Sequence, residues 1–343
     1  MDIKKLILEQ IRQKDEIRAK DIIKQTKFSR AYINRFFQEL INEGAIFALG
    51  RTKGARYILS DNSILKNAKK KIIDFDQSFK NQNLREDIVL TDIRKQSGIF
   101  FNISKNVIDI VDFAFLEMLN NAIEHSHSKD IMVKVKNKSD NINFWIIDYG
   151  VGVFNSVKKE FNLPDDLTAI EHLLKGKQTV DPKRHTGQGI FFTSKLADVF
   201  TIISGRKRLR FIKSLDDVFI DDIQEFPGTK IFFSLAKNSK TSAKKIFNEF
   251  SNEEFEFNKT KILIRLYKNN QGLISRSEAR RIMFGLDKFK EIVLDFKSME
   301  TVGQSFGDEV FRVWQDKYPK IKINYINANE NVAFMVIRAK KEK

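Results

Sequence analysis

Apolar residues recur at helical spacing in the first part of the chain and then give way to two short apolar runs. The segment IKKLILEQIR places its apolar side chains on one helical face, and AKDIIKQT repeats this pattern after a polar turn. A third helix is predicted in SRAYINRFFQELINEG, with Ser29 as its N-cap and Gly44 as its stop. The runs AIFAL and ARYIL follow, joined by Gly-Arg-Thr-Lys-Gly, and together they predict a β-hairpin.

Three helices followed by a hairpin with a basic tip are typical of a winged helix-turn-helix, which we predict for residues 1–60. In this interpretation the third helix enters the major groove of double-stranded DNA and the hairpin tip contacts phosphates. The helix offers Ser29, Arg30, Tyr32, Asn34 and Arg35, and the hairpin offers Arg51, Lys53 and Arg56. The alternative is a small domain for dimerisation or protein docking that does not contact DNA. Only the DNA-binding interpretation predicts an affinity for DNA that falls steeply as the salt concentration rises.

The centre of the chain alternates between helical and strand patterns. Residues 61–100 are polar and charged, and we predict a linker with some helix there. In residues 101–240 a long helix is expected over about 104–127. The segments IMVKVKNK, INFWIIDYG, VFTIISG and TKIFFSLA are predicted strands. Helices combined with a sheet that leans to antiparallel pairing predict an α+β sandwich.

Composition narrows the classes of function. A chain of 343 residues with 42% hydrophobic residues can bury the cores of two or three domains. The absence of cysteine excludes disulfides, thiolate zinc sites and cysteine nucleophiles, and four histidines argue against a histidine-rich metal site. We find neither a signal-peptide core nor an apolar run of membrane-spanning length, so we expect a cytoplasmic chain without a membrane partner.

The formal charge of +16 favours a polyanionic partner such as nucleic acid. A genome whose codons favour Lys, Ile, Asn and Phe would give the same excess, and 31 Phe fit that explanation. The charge alone does not separate these two explanations.

Three short motifs in the central region carry candidate chemistry, and they occur in a fixed order. EMLNNAIEH lies on the long helix, DYGVG ends an apolar strand, and TGQGI opens a later helix. Glu117 and Asn121 are four residues apart and therefore share one helical face. Glycines after the strand let the backbone approach a ligand closely, and glycines at a helix N-terminus expose amides that favour phosphate. Each motif is weak alone, but their order is specific.

Together these motifs resemble the GHKL ATP-binding superfamily, whose two-layer Bergerat fold occurs in gyrase B, histidine kinases and anti-sigma-factor kinases. EMLNNAIEH resembles the N box, DYGVG the adenine box and TGQGI the phosphate-lid box, and PGTKIFF resembles the closing strand. The resemblance implies ATP and Mg²⁺ as cofactors. Ile190 stands where many members have leucine, and the glycine run is shorter, so the resemblance supports nucleotide binding more strongly than turnover.

The resemblance also implies roles for individual residues. Glu117 would polarise a water or an incoming hydroxyl as the catalytic residue, Asn121 would ligate Mg²⁺, and Asp148 would accept from the adenine amine. The remaining cofactor-binding residues implied are His125, Gly150, Gly152, Thr186, Gly187, Gly189 and Thr229. We interpret Asn120 as a hydrogen-bonded neighbour of these groups. Lys183, Arg184 and His185 either add positive charge near the phosphates or are solvated.

The last part of the chain, residues 275–343, predicts a small α/β domain after a connecting segment at 241–274. SRSEARRIMFGLDKF and TVGQSFGDEVFRVWQDKYP are predicted helices, and EIVLDF, IKINYINAN and VAFMVIRA are predicted strands. This pattern resembles the STAS-like domain sometimes fused after GHKL modules, in which a serine at a strand–helix junction receives phosphate. Gln304 occupies that position here, between Thr301 and Ser305. The alternative is a docking domain in which Ser305 is an ordinary helix N-cap.

The leading interpretation is a multidomain, ATP-binding and DNA-binding transcriptional regulator, in which Mg-ATP switches the winged helix or the STAS-like domain. The STAS-like domain would receive a protein partner, and a homodimer is one assembly that this organisation allows. The main alternative is a serine/threonine protein kinase of the anti-sigma-factor type. A plain ATPase acting on nucleic acid lacks the transducer domain of gyrase, and a sensor histidine kinase lacks its helical hairpin.

Overall fold

Buried side chains in the described part of the chain form three clusters, at residues 3–57, 75–235 and 191–339. The computed structural model describes residues 2–43, 45–49, 55–59, 73–176, 188–251, 257–267, 273 and 275–341. Each cluster is the core of one structural unit. The second and third overlap in sequence because one helix contributes side chains to both.

The N-terminal unit contains the elements predicted for it. Its helices are α1 (Ile3–Lys14), α2 (Ala19–Thr26) and α3 (Arg30–Asn42), and its strands are β1 (Ile17–Arg18), β2 (Ile46–Leu49) and β3 (Arg56–Leu59). The strands form an antiparallel sheet in the order β1-β3-β2. The hydroxyl of Ser29 accepts from the Tyr32 amide at 3.2 Å, which confirms the predicted N-cap. Gly44, the predicted stop, lies outside the described residues.

The central unit is an antiparallel sheet covered on one side by helices, as predicted. Its described strands run in the order β4-β5-β6-β8-β7, with bounds β4 (Asp74–Lys80), β5 (Asp130–Asn137), β6 (Asn141–Asp148), β7 (Val199–Ile212) and β8 (Asp217–Ala236). Its helices are α4 (Glu86–Gln96), α5 (Lys105–His125), α6 (Val153–Phe161), α7 (Asp166–Leu174) and α8 (Gly189–Leu196). The long helix α5 buries one apolar face that includes Ile110, Ala114 and Leu119.

The predicted linker is wrong from residue 73 onward. Strand β4 pairs with β5 along its whole length, from Asp74 opposite Lys136 to Lys80 opposite Asp130, and α4 buries Ile93 in the same core. The strand is at the edge of the sheet and its outer face is charged, so its sequence is almost as polar as a connecting segment. Residues 60–72 lie outside the described residues.

The β7–β8 hairpin bends sharply beyond its first half. The pairing shifts register on either side of Gly205, which has a φ of 56°. The far half then folds back, so that the Lys213 amide donates to the Asp198 carbonyl at 2.9 Å. Leu209 and Phe211 become buried in the central core. The hairpin therefore covers helices as well as completing the sheet.

The C-terminal unit is a small parallel α/β domain, as predicted. Its strands β9 (Lys259–Leu263), β10 (Glu291–Asp295) and β11 (Lys322–Ile326) pair in the order β11-β10-β9. The helices are α9 (Ala243–Phe250), α10 (Arg276–Met283), α11 (Gln304–Asp308), α12 (Gln315–Lys317) and α13 (Glu330–Lys341), with a π-helical turn over Glu309–Trp314. Short 3₁₀ turns occur in this unit at Ile264–Tyr267 and Leu286–Lys288. Another, at Lys213–Leu215, joins β7 and β8 of the central unit.

Two predictions for this unit are wrong. VAFMVIRA belongs to helix α13, because Val332, Val336 and Ala339 are buried at helical spacing and Asn329 accepts from the Val332 amide at 2.9 Å. Strand β9 lies inside the predicted connecting segment but is part of the C-terminal sheet. None of the helices in the described ranges combines the length and apolarity that are needed to cross a membrane.

Candidate nucleotide site

Asp148 ends strand β6 in a pocket of backbone donors. Its side chain is only 3% exposed, and Oδ1 accepts from the amides of Gly150 at 3.0 Å and Thr229 at 3.2 Å. Burial raises the pKa of the Asp148 carboxyl, and the two backbone hydrogen bonds oppose that shift. Both of these amides bind Oδ1, so Oδ2 takes neither of the two backbone hydrogen bonds. The position is the one predicted for adenine recognition.

The glycines after Asp148 allow a close approach between backbone segments. A Cβ on Gly150 would lie 1.8 Å from the carbonyl oxygen of Ser126, and Gly152 has a φ of 79°. The Val151 amide donates to the same Ser126 carbonyl at 2.8 Å. These contacts fix the loop against the end of α5, so that β6 and α5 are held together at this corner.

Thr229 lies directly opposite Asp148 in the β6–β8 pairing. Besides its amide contact to Asp148, its hydroxyl accepts from the Val153 amide at 3.0 Å, at the start of α6. The structure therefore brings together Asp148, Gly150, Gly152 and Thr229, which are separated by up to 81 residues in the chain.

Glu117 and Gly189 lie together at the start of α8. A Cβ on Gly189 would lie 2.2 Å from Glu117 Oε2, so the carboxylate is next to the N-terminus of α8. Asn121 follows Glu117 by one helical turn and is half-buried. Thr186 and Gly187, also predicted for the phosphates, lie outside the described residues, as do Lys183, Arg184 and His185.

Asn120 occupies the neighbouring helical position and is used differently. Its amide donates to Glu124 Oε2 at 3.3 Å, and His125 Nε2 is 4.0 Å from the same oxygen. Asn120 is therefore hydrogen-bonded to Glu124, which is not among the predicted site residues, while Asn121 is on the face shared with Glu117. Among the described residues no group of three or more His, Asp or Glu side chains could hold a metal ion. Asn121 offers one amide oxygen, which suits Mg²⁺ bound mainly by phosphates and water.

Sequence reasoning missed two serines that pack around the loop after Asp148. Ser204 Oγ donates to the Gly228 carbonyl at 2.8 Å, and a Cβ on Gly152 would lie 2.6 Å from this oxygen. Ser128 Oγ accepts from the Tyr149 amide at 3.2 Å. Neither serine lies in a recognisable motif, and only the strand pairing places them here.

Most of the described residues predicted to contact DNA are exposed, and some of them already bind other groups of the N-terminal unit. Ser29, Arg30, Tyr32 and Arg35 are exposed on α3, whereas Asn34 is half-buried. Ser29 is occupied as the N-cap, and Arg56 pairs with Glu16 at 3.1 Å. Arg35 stacks near Tyr32 and Phe36, with its guanidinium 5.3 and 5.0 Å from the two ring centres. Arg51 and Lys53 lie outside the described residues.

At the candidate acceptor position of the C-terminal unit, Thr301 and Ser305 are both exposed. Gly303 is the N-cap of α11, so the alternative in which Ser305 caps the helix is wrong. Ser305 is instead the second residue of the helix. Its hydroxyl is accessible for chemistry, but Gln304 still occupies the position of the usual acceptor.

Comparisons with known proteins identify two of the three units. The family model described as a histidine kinase-like ATPase domain matches residues 95–213. The model described as a STAS-like domain of unknown function (DUF4325) matches residues 278–333. A search of curated proteins returns no match. The chain thus contains a GHKL-type ATPase domain, whose family binds ATP and typically Mg²⁺, and a STAS-like domain. Neither match extends to the N-terminal unit.

Proposed function

We propose that the chain is an ATP-responsive, DNA-binding transcriptional regulator. The observation that carries the proposal is the Asp148 pocket, in which the amides of Gly150 and Thr229 converge on a buried carboxylate; the contact of Glu117 with Gly189 in the same domain supports it. In this proposal Asp148 and Thr229 bind the adenine and Asn121 ligates Mg²⁺. The N-terminal unit binds DNA with a different affinity when nucleotide is bound.

The nucleotide assignment follows from what each group can do. Asp148 Oδ2 accepts from an exocyclic amine, whereas the carbonyl oxygen of guanine at the same place would face a carboxylate. The N-terminus of α8 presents backbone amides to the phosphates, and Mg²⁺ would neutralise part of their charge. Glu117, beside that N-terminus, would orient a water or a hydroxyl.

The N-terminal unit supports DNA binding through its order of elements and its charge. Three helices followed by a hairpin on a three-stranded sheet are the arrangement of a winged helix. The exposed start of α3 has Arg30 and Arg35, preceded by the exposed Lys27. The aromatic side chains of Phe28 and Tyr32, which are 5.1 Å apart, add an apolar surface that can contact bases.

The first experiment tests the nucleotide site with Asp148→Asn. Replacing an ionised acceptor with an amide should weaken Mg-ATP binding by a factor of about ten or more, the scale of one hydrogen bond to a charged group. Calorimetric titration of the full chain measures this, and Asp140→Asn in an exposed turn is the matched control. Equal affinities for the parent and Asp148→Asn would show that the adenine assignment is wrong.

The second experiment tests DNA binding with Arg30→Ala. Loss of one phosphate or base contact should weaken binding to double-stranded DNA, and the parent's affinity should fall steeply between low and physiological salt. Arg12→Ala, at an exposed position on α1, is the control. If the parent binds no DNA, or binds it independently of salt, the N-terminal unit serves docking or dimerisation instead.

A second candidate function is phosphoryl transfer to a protein, with Glu117 as the base. The observations that favour it are the position of the Glu117 carboxylate at the N-terminus of α8 and the exposed hydroxyls of Thr301 and Ser305. Transfer of radiolabel from ATP to the chain, or to a partner protein, should disappear with Glu117→Gln. Intact ATP binding without any transfer would leave the regulator as the better account.

A further inference from the structure

Helix α7 of the ATPase domain ends in a buried network of hydrogen bonds with the C-terminal domain. Lys175, the residue after α7, is 2% exposed, and its ammonium donates to the carbonyls of Arg281 and Phe284, each at 3.0 Å. These carbonyls are at the C-terminal end of α10, where helical carbonyls lack internal partners. The ATPase domain thus supplies the hydrogen-bond donor that caps a helix of the other domain.

The C-terminal domain donates two hydrogen bonds in return. Thr260, which is fully buried on β9, donates from Oγ1 to the Lys175 carbonyl at 2.7 Å. Tyr267 is 1% exposed and donates its hydroxyl to the Glu171 carbonyl at 2.8 Å. Both acceptors are backbone groups of α7 or its end. The position of this helix is therefore set by the C-terminal domain as well as by the central sheet.

Helix α8 is held by the same domain. It begins at Gly189, next to Glu117, yet its Phe191 and Phe192 belong to the apolar cluster of the C-terminal domain. Phe257 lies 4.7 and 5.1 Å from their ring centres. A Cβ on Gly176 would lie 2.8 Å from the same Phe257 ring, which shows how closely the chain passes there.

The tip of the β7–β8 hairpin makes a further attachment. Arg265 pairs with Asp217 and donates to the Val218 carbonyl at 3.0 Å, and Lys297 donates to the Asp216 carbonyl at 3.2 Å. An interface that combines an apolar cluster with buried hydrogen bonds between the domains is that of a fixed assembly rather than of two tethered domains.

We infer that Thr260 and Tyr267 of the C-terminal domain are positioning residues of the nucleotide site. They hold the end of α7, where Leu173 and Leu174 line one cavity together with Tyr267 and with Ile190 and Phe191 of α8. Phe257 packs on the same helix α8, which begins beside Glu117. The C-terminal domain therefore preorganises the helix that starts at the candidate site. The inference rests on the proposed binding of ATP. Preorganisation increases affinity because less ordering is left to occur on binding. The coupling is reciprocal: the free energy by which these contacts favour nucleotide binding equals the free energy by which bound nucleotide stabilises the contacts of α10.

The test compares Mg-ATP affinity across matched variants of the full chain. The double variant Thr260→Val with Tyr267→Phe removes both hydrogen bonds while preserving most of the volume, and we expect its Kd to rise about tenfold. The single variant Thr260→Ser keeps the hydroxyl group, and its Kd should equal that of the parent. The control is Tyr318→Phe with Tyr325→Phe, which removes two hydroxyl groups from the same domain away from the interface, and it leaves Kd unchanged.

Amide hydrogen exchange on the parent gives a second readout that does not depend on variant folding. Saturating Mg-ATP should slow exchange in α10 relative to the nucleotide-free chain. Equal Kd values for the interface variant and the control, or α10 exchange that does not respond to nucleotide, would overturn the inference while the proposed ATP binding stands. A parent that binds no ATP would overturn both.

Discussion

Glu171 is a buried carboxyl on α7 whose charge is poorly compensated. Its side chain is 2% exposed, Oε2 has no hydrogen-bond partner within the described ranges, and the Arg281 guanidinium is 3.7 Å from Oε1. Burial raises the pKa of Glu171 from 4.5 to about 7, despite the opposing charges of Arg281 and Lys175. Burial also lowers the pKa of Lys175 from 10.5 to about 7. The folded protein therefore favours the neutral form of the Glu171 carboxyl.

This shift predicts a dependence of stability on pH. A carboxyl whose folded pKa exceeds its unfolded pKa contributes stability that is complete below about pH 4.5 and is lost as the pH rises to about 7. Between pH 5 and 7 the parent should lose about 2 kcal/mol of unfolding free energy that Glu171→Gln does not lose. Urea denaturation at both pH values measures the difference, with the exposed Glu160→Gln as control. Identical pH slopes for the parent and Glu171→Gln would contradict the assignment.

Gly150 and Gly189 differ in what surrounds their missing side chains. A Cβ on Gly150 meets a backbone carbonyl at 1.8 Å, whereas a Cβ on Gly189 meets the movable end of Glu117. Gly150→Ala should therefore lower the unfolding free energy by about 2 kcal/mol or more and abolish ATP binding. Gly189→Ala should keep most of the stability and alter nucleotide affinity or transfer, because Glu117 moves. Thermal unfolding together with ATP titration separates them, and equal destabilisation by both would be inconsistent with these contacts.

At the scale of elements, helix α13 depends on one residue for its start. Asn329 accepts from the Val332 amide through Oδ1, and its Nδ2 donates to the carbonyls of Met299 and Glu300 at 3.0 and 2.9 Å. Asn329→Ala should cost about 2 kcal/mol through loss of the cap and of the loop contacts. Asn331→Ala, exposed on the same helix, should change the unfolding free energy very little. Denaturant unfolding of both variants checks this, and similar losses would argue against the capping role.

Local patterns predicted the elements whose periodicity is unambiguous. Strands β5 and β6, the first half of β7 and the last part of β8 alternate or are mostly apolar, and α5 keeps a helical period, so these elements were predictable from sequence. The far half of the β7–β8 hairpin is rich in charged residues and was not predicted. The run VAFMVI fits either period, and only burial of Val332 and Val336 against α11 and its π-helical extension selects the helix. Strand β4 is charged on its outer face, so its membership in the sheet depends on pairing with β5 rather than on its own pattern.

The nucleotide site was predictable to a similar degree. Asp148, Gly150 and Gly152 form one local motif, whereas the contact of Thr229 with Asp148 depends on the β6–β8 register. The docking of the C-terminal domain on α7 and α8 could not be predicted, because its hydrogen bonds join residues about 85 to 109 positions apart. No local spacing encodes such contacts.

At the scale of the whole molecule, the ATPase and C-terminal domains share an interface of aromatic side chains and buried hydrogen bonds. The N-terminal unit has its own core, built around Ile7, Ile33 and Phe37. In a regulator of this organisation, nucleotide changes the affinity for DNA only if it binds more tightly to one arrangement of the units than to another. A shift from 1:99 to 99:1 requires a difference of about 5.5 kcal/mol, and contacts to a triphosphate are a sufficient source.

The measurement that tests this account most directly is the affinity of the full chain for double-stranded DNA with and without a non-hydrolysable ATP analogue and Mg²⁺. At fixed salt, saturating nucleotide should change the Kd of the parent by a factor of about ten or more, equivalent to about 1.4 kcal/mol of coupling. In Asp148→Asn, at the same nucleotide concentration, the change should be much smaller. A parent that binds DNA with the same Kd in both conditions, while binding the analogue, would contradict the regulator.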